Sequence, residues 1–570
     1  MIDLAIVGGM LIDGTGTATR RAEVGIDAGR IVSVGATTER ARRTVDAAGS
    51  YVCPGFIDLH THYDAQLFWD PALTPSCFHG VTTVFGGNCG FSIAPYRAED
   101  GDYLLRLLAR VEGIPVATLE AGVPWGSWSS TAEYFAAVEG RTVLNMGFLV
   151  GHSAMRRAVM GEEASRRAAR ADEIAAMAAL LDEGLAAGGL GLSSSGAPTH
   201  NDDRGQPVPS RAAEAEEFLE LCRVVSRHPG TTVEMVPGQG SFEQNIDLLA
   251  AMSAAANRPL NWNVLQVNAE DIDLIEARLA RSEAAAAGAG GRLVPLTMPD
   301  ALRTRLSFDS GFLLDTLPNW REPMALPAAE KMALLADPAR RRQLADDAAI
   351  APRAFLARGI NNWAGMRIGE TDQDRYRGRI VGDIAADERR DPFDVLCDIV
   401  VADGLRTGVY TPDRGDDDRS WKLRAELWRS GRVVVGASDA GAHLDMISTW
   451  SYPTTMLAEA VRRRHLLGWE DAVRLLTGEP ARLYGLRDRG LLVEGHRADV
   501  TVFDPDTVGP RPTEWRQDLP AGGGRLYAEA DGVSLVVVNG VPIVEGGVLT
   551  GDRPGQLVRS GVDTDTVTAR

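Results

Sequence analysis

The sequence predicts an α/β protein with a central parallel sheet and β-rich ends. Residues 51–480 alternate strand-like and helix-like segments, which is the pattern of repeated βα units. The two ends of the chain instead carry short strand-like runs separated by turn signals. Because about eight βα units close a TIM-like (β/α)8 barrel, we expect such a barrel over residues 53–487. Residues 1–52 and 488–570 would together build a small β-sandwich domain.

Hairpin signals mark the terminal strands. Residues 24–26 and 31–34 flank the tetrapeptide DAGR, whose glycine suits a turn position with positive φ. Near the other end, the apolar run 533–538 is followed by the dipeptide NG, a strong hairpin-turn signal. Both ends are therefore predicted to be β-structure.

Seven strands of the expected barrel can be identified between helical segments. The clearest helix spans residues 163–187, because Ile174, Met177, Leu181 and Leu185 share one stripe and glycines follow it. An eighth strand is expected between residues 360 and 410, where the pattern is indistinct. The seven candidates are residues 52–59, 80–87, 142–150, 189–194, 231–236, 259–265 and 432–438.

Residues 293–350 do not fit a simple βα unit. They combine helical patches with the breaker sequence PNW at 318–320. An insertion of this size at the rim of a barrel is a candidate lid. A packing subdomain that does not move explains the pattern equally well, so both alternatives remain open.

Composition and charge exclude several classes of protein. A net charge of −19 argues against a nucleic-acid partner, which needs a basic face. The five scattered cysteines do not form a disulfide framework, and no apolar run is long enough to span a bilayer. The first residues do not resemble a signal peptide. We therefore expect a cytoplasmic enzyme with a small-molecule substrate, and the sequence leaves its oligomeric state open.

Two histidines end the apolar run 51–59. His60 and His62 lie two residues apart, so in a strand their rings point to the same side. Neutral imidazole is a common ligand for zinc and other divalent metals. Two unrelated histidines near a strand end would give the same spacing. The preceding strand, and a second strand-like run that ends in Asn88-Cys89-Gly90, favour a metal site.

Several polar residues follow predicted strands. In a TIM-like barrel the functional groups lie at the carboxyl ends of the strands. Residues at such ends are therefore expected to share one site. In this sequence they are His60, His62, Cys89, His152, Ser194, Glu234, Asn263 and Asp439.

The motifs around these residues resemble one known family. The segments PGFIDLHTHYD (54–64) and HGVTTVFGGNCGFSIAP (79–95) are similar to the amidohydrolase superfamily, and within it to the N-acyl-D-amino-acid deacylases, or D-aminoacylases. The likeness continues through VEGIP, GVPW, LVGHSAMR, SDAGAH and GHRADVTVFDP, in the order of the family and over nearly the whole chain. The resemblance implies a metal-dependent hydrolase of linear amides with the barrel and sandwich described above.

The resemblance also implies roles for individual residues. GNCG matches the position of a metal-ligating cysteine, which makes Cys89 a candidate ligand where a buried structural thiol would otherwise be expected. SDAGAH matches the catalytic aspartate of the family. Asp439 is therefore a candidate metal ligand and general acid/base, acting beside a metal-held water, although a strand-end aspartate can also cap a helix.

Further polar residues are candidates for the surroundings of this site. Asp64 could orient a ligand imidazole. His152 could contact substrate or support the metal site, and His200 could face the cavity. His443 is a substrate or oxyanion contact, or a packed polar residue, with equal support for both.

The sequence departs from the family at the fifth and sixth barrel strands. The resemblance predicts metal-ligand histidines there, and a lysine after the second one. The two strands read TTVEMV and PLNWNV instead, which places Glu234 and Asn263 at these ends. Glu234 can replace a histidine as an oxygen ligand, whereas asparagine is a poor zinc ligand and is assigned here to substrate binding. We therefore expect one ion, zinc or another divalent metal, held by His60, His62 and Asp439 with Cys89 or Glu234.

Three functions are compatible with these features. The first is a metal-dependent hydrolase of a linear amide such as an N-acyl amino acid. The second is a cyclic amide, imide or lactone hydrolase, or a non-hydrolytic enzyme, on the same fold with an altered metal site. The third, a ligand-binding protein without catalysis, is least compatible with the retained histidine pair, cysteine and aspartate.

Overall fold

Parallel strands form the centre of the computed structural model, which describes residues 1–36, 39–238, 242–299, 301, 303–350 and 359–570. One sheet pairs the first three strands in chain order, and a second sheet pairs the next six in the order in which they follow along the chain. The strands are Phe56–Asp58, Val81–Gly86, Asn145–Phe148, Val150–Gly151, Gly191–Ser195, Thr232–Val236, Leu260–Trp262, Leu293–Thr297 and Val434–Val435.

The first and last of these parallel strands approach each other. Asp439 N–H donates to the carbonyl of His60 at 3.1 Å, and His62 N–H donates to the carbonyl of Ala440 at 2.7 Å. Thr61 and Ala440 form an isolated parallel bridge. These bonds bring the SDAGAH segment against the histidine pair, although the two stretches are almost 380 residues apart in the chain.

The strand Leu293–Thr297 corrects two of the predictions. It pairs in parallel with Leu260–Trp262 on one side and Val434–Val435 on the other. The insertion therefore begins after Thr297 and not at residue 293, and the parallel strand expected between 360 and 410 does not occur among the described residues of that stretch. The strand was not predicted from the sequence because it contains Pro295, and proline is unfavourable in a central strand.

The insertion runs to residue 417, beyond the predicted end at 350, and has a hydrophobic core of its own. Buried side chains such as Phe308, Trp320 and Phe393 form this core, which also takes in Met446 and Ile447. Residues 300 and 302 of the predicted lid lie outside the described residues. The elements are the helices Arg321–Ala325, Ala328–Ala336, Pro338–Ala349, Val381–Glu388 and Pro392–Ala402 with the antiparallel strands Arg305–Leu306, Arg367–Ile368 and Val409–Tyr410.

The two ends of the chain share sheets and a core. A four-stranded sheet contains Arg30–Gly35, Glu23–Asp27, Ile2–Val7 and Ala41–Asp46 in this order. A seven-stranded sheet contains Val548–Leu549, Val541–Glu545, Val533–Val538, Val500–Phe503, Tyr51–Pro54, Met10–Leu11 and Arg20–Arg21. Side chains from both sheets, among them Ile6, Val24, Val500 and Val537, belong to one buried cluster.

Most helices outside the insertion follow parallel strands. The helix predicted at 163–187 is confirmed over Ala171–Ala186, with Met177, Leu181 and Leu185 buried; it begins later because Gly161–Ser165 is a 3-10 turn. The others are Gly101–Val111, Val116–Gly122, Thr131–Val138, His152–Met160, Ala215–Arg227, Phe242–Ala256, Ile272–Ala289, Asp418–Ser430, Tyr452–Thr455, Trp469–Leu476 and Gly478–Tyr484. Within the described residues, no helix combines the length and apolar character needed to cross a lipid bilayer.

Candidate active site

A cavity of about 1130 Å³ opens at the carboxyl ends of the parallel strands. The insertion forms part of its wall through residues such as Phe312, Leu317 and Arg321. Most of the predicted site residues line this cavity. They are His60, His62, Cys89, His200, Asn263, Asp439 and His443.

Four potential ligand atoms converge on one side of this cavity. The Nε2 atom of His60 lies 2.9 Å from Asp439 Oδ1 and 3.4 Å from Cys89 Sγ. The Nε2 atom of His62 lies 3.6 Å and 3.9 Å from the same two atoms. His60, His62 and Cys89 form a group whose ligand atoms all lie within 4.8 Å of one another, whereas Asp439 contacts the two histidines without belonging to this group.

The residues present fit a zinc ion. Zinc bonds of about 2.0–2.3 Å in tetrahedral directions place neighbouring donor atoms roughly 3.3–3.8 Å apart, close to the distances found here. Imidazole nitrogen, thiolate sulfur and carboxylate oxygen are the donors that zinc uses in proteins. Burial raises the pKa of the Cys89 thiol well above its usual range. A cation is therefore required for Cys89 to be a thiolate at neutral pH.

The SDAGAH segment presents Asp439 in a strained loop. Ala437, Asp439 and His443 all have positive φ, of 64°, 52° and 49°. Ser438 supports the loop by donating a hydrogen bond to the buried Asp58 at 2.5 Å. The Asp439 side chain keeps 31% of its surface exposed, towards the cavity. Such strained residues cost about 1–3 kcal/mol each and cluster at functional sites, where the surroundings hold them.

The electrostatics of Asp439 favour its ionised form. Burial on its own raises the pKa of this carboxyl, but the His60 and His62 rings beside it lower the pKa well below its ordinary value. Asp439 is therefore a carboxylate at neutral pH.

Glu234 does not join the group of closely spaced ligand atoms. Its Oε2 accepts a hydrogen bond from the Cys89 backbone N–H at 2.9 Å, and its Oε1 accepts one from the Asn263 side-chain amide at 2.5 Å. Both oxygens accept hydrogen bonds within the protein, and the expectation that Glu234 supplies an oxygen ligand stays a prediction. Asn263 lines the cavity.

A carboxylate that the sequence analysis missed lies against His62. Oε1 of the buried Glu112 is 3.2 Å from His62 Nδ1, on the side of the ring away from the ligand group. The predicted partner, Asp64, instead accepts a hydrogen bond from the Gly87 N–H at 3.0 Å. Burial raises the pKa of Glu112 to about 7. The only sequence signal for Glu112 was its place in the VEGIP motif.

The other three histidines differ in position. His152 is fully buried away from the cavity, with Nδ1 2.9 Å from Ser194 Oγ and Nε2 2.7 Å from Glu217 Oε1. The expectation that it contacts substrate is corrected, because it does not line the cavity. His200 lines the cavity and bonds to Ser195 at 2.7 Å. His443 also lines it and stacks on Phe312 of the insertion, with ring centroids 5.3 Å apart.

Comparison with known proteins agrees with this geometry. The model of the amidohydrolase family matches residues 43–544. An uncharacterized protein of Mycobacterium tuberculosis is 31% identical over 98% of this chain and 95% of its own length. The D-aminoacylase of Alcaligenes xylosoxydans xylosoxydans is 29% identical over 98% of this chain and 97% of its own length.

A solved structure is similar over the same extent. It is the N-acyl-D-glutamate deacylase of Bordetella bronchiseptica, in complex with zinc and a phosphonate that mimics the tetrahedral intermediate of its reaction. The two proteins are 25% identical, with a TM-score of 0.66, over 98% of this chain and all of the other.

A strand-end cluster of histidines, cysteine and aspartate in an α/β fold is typical of hydrolytic metalloenzymes. The chain belongs to the amidohydrolase family. It is thus a hydrolase that acts on carbon–nitrogen bonds, and both the family and the relationship to D-aminoacylases confirm the resemblance seen in the sequence.

Proposed function

We propose that this enzyme hydrolyses a linear N-acylated amine, with an N-acyl-D-amino acid as the first candidate substrate. The observation that carries the proposal is the convergence of His60, His62, Cys89 and Asp439 at one side of a cavity large enough for such a molecule. Full-length similarity to a D-aminoacylase supports the substrate class.

We propose one zinc ion as the metal. His60 and His62 would bind it through Nε2, Cys89 through Sγ and Asp439 through Oδ1. The distances from the two histidine nitrogens to Cys89 Sγ and to Asp439 Oδ1 support the assignment. At the two strand ends where the family resemblance predicts further histidines, Glu234 and Asn263 bond to each other, which supports a single ion.

In the proposed reaction, Asp439 would transfer the protons. When bound, the metal ion acidifies a water molecule and polarises the amide carbonyl. Asp439 takes a proton from the attacking water and delivers it to the nitrogen of the leaving amine as the carbon–nitrogen bond breaks. Its Oδ1 faces the histidines, so its other carboxylate oxygen is the one that handles the proton. The products are a carboxylic acid and an amine.

The architecture we propose for this enzyme is a closed eight-stranded barrel, in which Asn145–Phe148 and Val150–Gly151 count as one strand, with a terminal β-sandwich. The bonds between the Ala440 and His60 segments, and a buried cluster that joins Ile57, Phe85, Leu296 and Val434 from distant strands, support closure. The cluster shared by the two terminal sheets supports the sandwich over 1–52 and 488–570. Residues 53–487 would form the catalytic domain.

The test is hydrolysis of matched substrates by the zinc-loaded enzyme and by Asp439→Asn. N-acyl-D- and N-acyl-L-amino acids, cyclic imides and lactones are compared in one assay. We expect turnover of the D-configured linear amides, and a loss of roughly 10²–10⁴-fold in Asp439→Asn, the usual contribution of a general acid/base. Zinc content and far-ultraviolet circular dichroism of the variant separate loss of chemistry from loss of metal or fold. Full activity in Asp439→Asn would refute the mechanism.

A further inference from the structure

The turn that carries Cys89 has an unusual backbone. Gly87, Cys89 and Gly90 have φ values of 71°, 55° and 77°, so three of four consecutive residues lie in the left-handed region. Glycine adopts this conformation readily, but cysteine does not. The sulfur therefore points at the histidines only while the surroundings hold the turn in place.

Buried side chains hold this turn at three backbone N–H groups. Glu234 accepts from Cys89 N–H at 2.9 Å, and Ser193 Oγ accepts from Gly90 N–H at 3.0 Å while donating to the carbonyl of Gly87. Asp64 accepts from Gly87 N–H at 3.0 Å. Glu234 and Ser193 are fully buried, and Asp64 nearly so.

We infer that Glu234 and Ser193 are positioning residues that hold Cys89 Sγ in the geometry of the metal ligand. The inference rests on the proposed metal site and adds to it the residues that set its cysteine. Glu234 acts through the Cys89 N–H and is not itself a ligand. Asn263 acts one step further away, since its amide holds the other oxygen of Glu234 at 2.5 Å.

The bond from Ser193 has a matched counterpart on the same strand. Ser195 lies two residues further along, is also fully buried, and bonds to His200 instead of the turn. Replacing Ser193 by alanine therefore removes the two hydrogen bonds that hold the turn around Cys89. The same change at Ser195 removes a serine of equal burial without touching that turn.

The experiment replaces zinc by Co²⁺ and measures the thiolate-to-cobalt charge-transfer absorption, together with metal affinity. The proteins are the wild type, Glu234→Ala, Glu234→Gln, Ser193→Ala and the control Ser195→Ala. We expect Glu234→Ala and Ser193→Ala to weaken the absorption and to lower metal affinity roughly 10- to 100-fold, as loss of residues that support a ligand usually does. Ser195→Ala should match the wild type.

Glu234→Gln separates positioning from ligation. The glutamine keeps an oxygen for the Cys89 N–H, and Asn263 can turn its own amide oxygen towards the new NH₂ group. We therefore expect Glu234→Gln to retain the absorption and the affinity. A loss equal to that of Glu234→Ala would make Glu234 a ligand and overturn the inference.

Two other outcomes are distinguishable. Wild-type absorption in both Glu234→Ala and Ser193→Ala would also overturn the inference while leaving the metal site intact. Absence of the absorption in the wild type would instead remove Cys89 from the proposed ligand set, and with it the basis of the inference. Because the optical signal does not require turnover, neither result depends on having found the right substrate. Circular dichroism shows whether Glu234→Ala folds, and Ser193→Ala supplies the milder test.

Discussion

At the scale of single residues, one buried carboxylate lies behind the His62 ring. Glu112 Oε1 lies 3.2 Å from Nδ1, so the opposite nitrogen, Nε2, is the one that faces Cys89 and Asp439. A carboxylate behind a ligand imidazole fixes the tautomer and makes the ring a better donor. Glu112 thus supports the proposed site, although it follows the helix Gly101–Val111 and lies at none of the predicted strand ends.

Replacing Glu112 tests this role. We expect Glu112→Gln to lower the zinc affinity roughly 10- to 100-fold, because the His62 ring loses the charge behind it. A competition titration against a zinc indicator measures the change. Glu120→Gln, at an exposed position on the following helix, is the control. Equal affinities in wild type and Glu112→Gln would contradict the role.

At the scale of secondary structure, a buried charged network connects two helices. Arg156 and His152, from helix His152–Met160, both contact Glu217 of helix Ala215–Arg227. All three side chains are excluded from solvent. Arg156 would be left as a buried charge without its carboxylate if Glu217 were removed, which is far more costly than loss of a surface ion pair.

Glu217→Ala should therefore destabilise the fold. We expect a decrease of about 3–5 kcal/mol in the free energy of unfolding, the usual cost of breaking a buried ion pair. Urea denaturation followed by circular dichroism gives this value. Glu220→Ala removes a half-exposed glutamate of the same helix that pairs with Arg223, and it should cause little change. A similar small effect in Glu217→Ala would show that the network adds nothing to stability.

The same network predicts a pH dependence. Burial on its own raises the pKa of Glu217, but His152 and Arg156 lower it below its ordinary value. The stabilisation is then complete above the pKa of an unfolded glutamate, about 4.3, and is lost as the pH falls through the lower native pKa. The difference in unfolding free energy between wild type and Glu217→Gln should shrink from pH 6 towards pH 3. A difference that stays constant over this range would exclude the linkage.

At the scale of the whole molecule, Asp499 connects the terminal sheets to the parallel strands. It is buried, pairs with Arg489, accepts from the Asn145 side chain at 3.1 Å and accepts from the Asn539 N–H at 2.8 Å. Asn145 belongs to a parallel strand, whereas Asn539 follows a strand of the seven-stranded sheet. One carboxylate thus connects residues almost 400 positions apart.

Asp499→Ala should weaken both regions together. Because it leaves the buried charge of Arg489 without a carboxylate, we expect a loss of about 3–5 kcal/mol in unfolding free energy. Tryptophan fluorescence and circular dichroism should report the same shifted midpoint in urea. Asp531→Ala, which breaks an exposed pair with Arg511, is the control and should leave the midpoint almost unchanged. Two separate transitions in Asp499→Ala would show that the terminal sheets unfold on their own.

Most of the fold and part of the site could be predicted from local patterns in the sequence. The alternation of strand and helix patterns predicted the central parallel strands, since hydrophobic periodicity is a property of neighbouring residues. The spacing of His60 and His62 placed both on one side of a strand end for the same reason. The strand Leu293–Thr297 was missed because its proline opposes the pattern, and neighbouring strands on both sides override that preference.

The sequence by itself determined the class of fold, the histidine pair, and through family motifs the cysteine and aspartate that accompany it. Only the tertiary structure decided which side chain each buried carboxylate contacts. Glu112 lies behind His62, Glu234 and Asp64 hold the cysteine turn, and His152 is buried in a network with Glu217. These assignments depend on contacts between segments some 20 to 150 residues apart, and no periodicity or spacing along the chain encodes which distant side chain fills a given position.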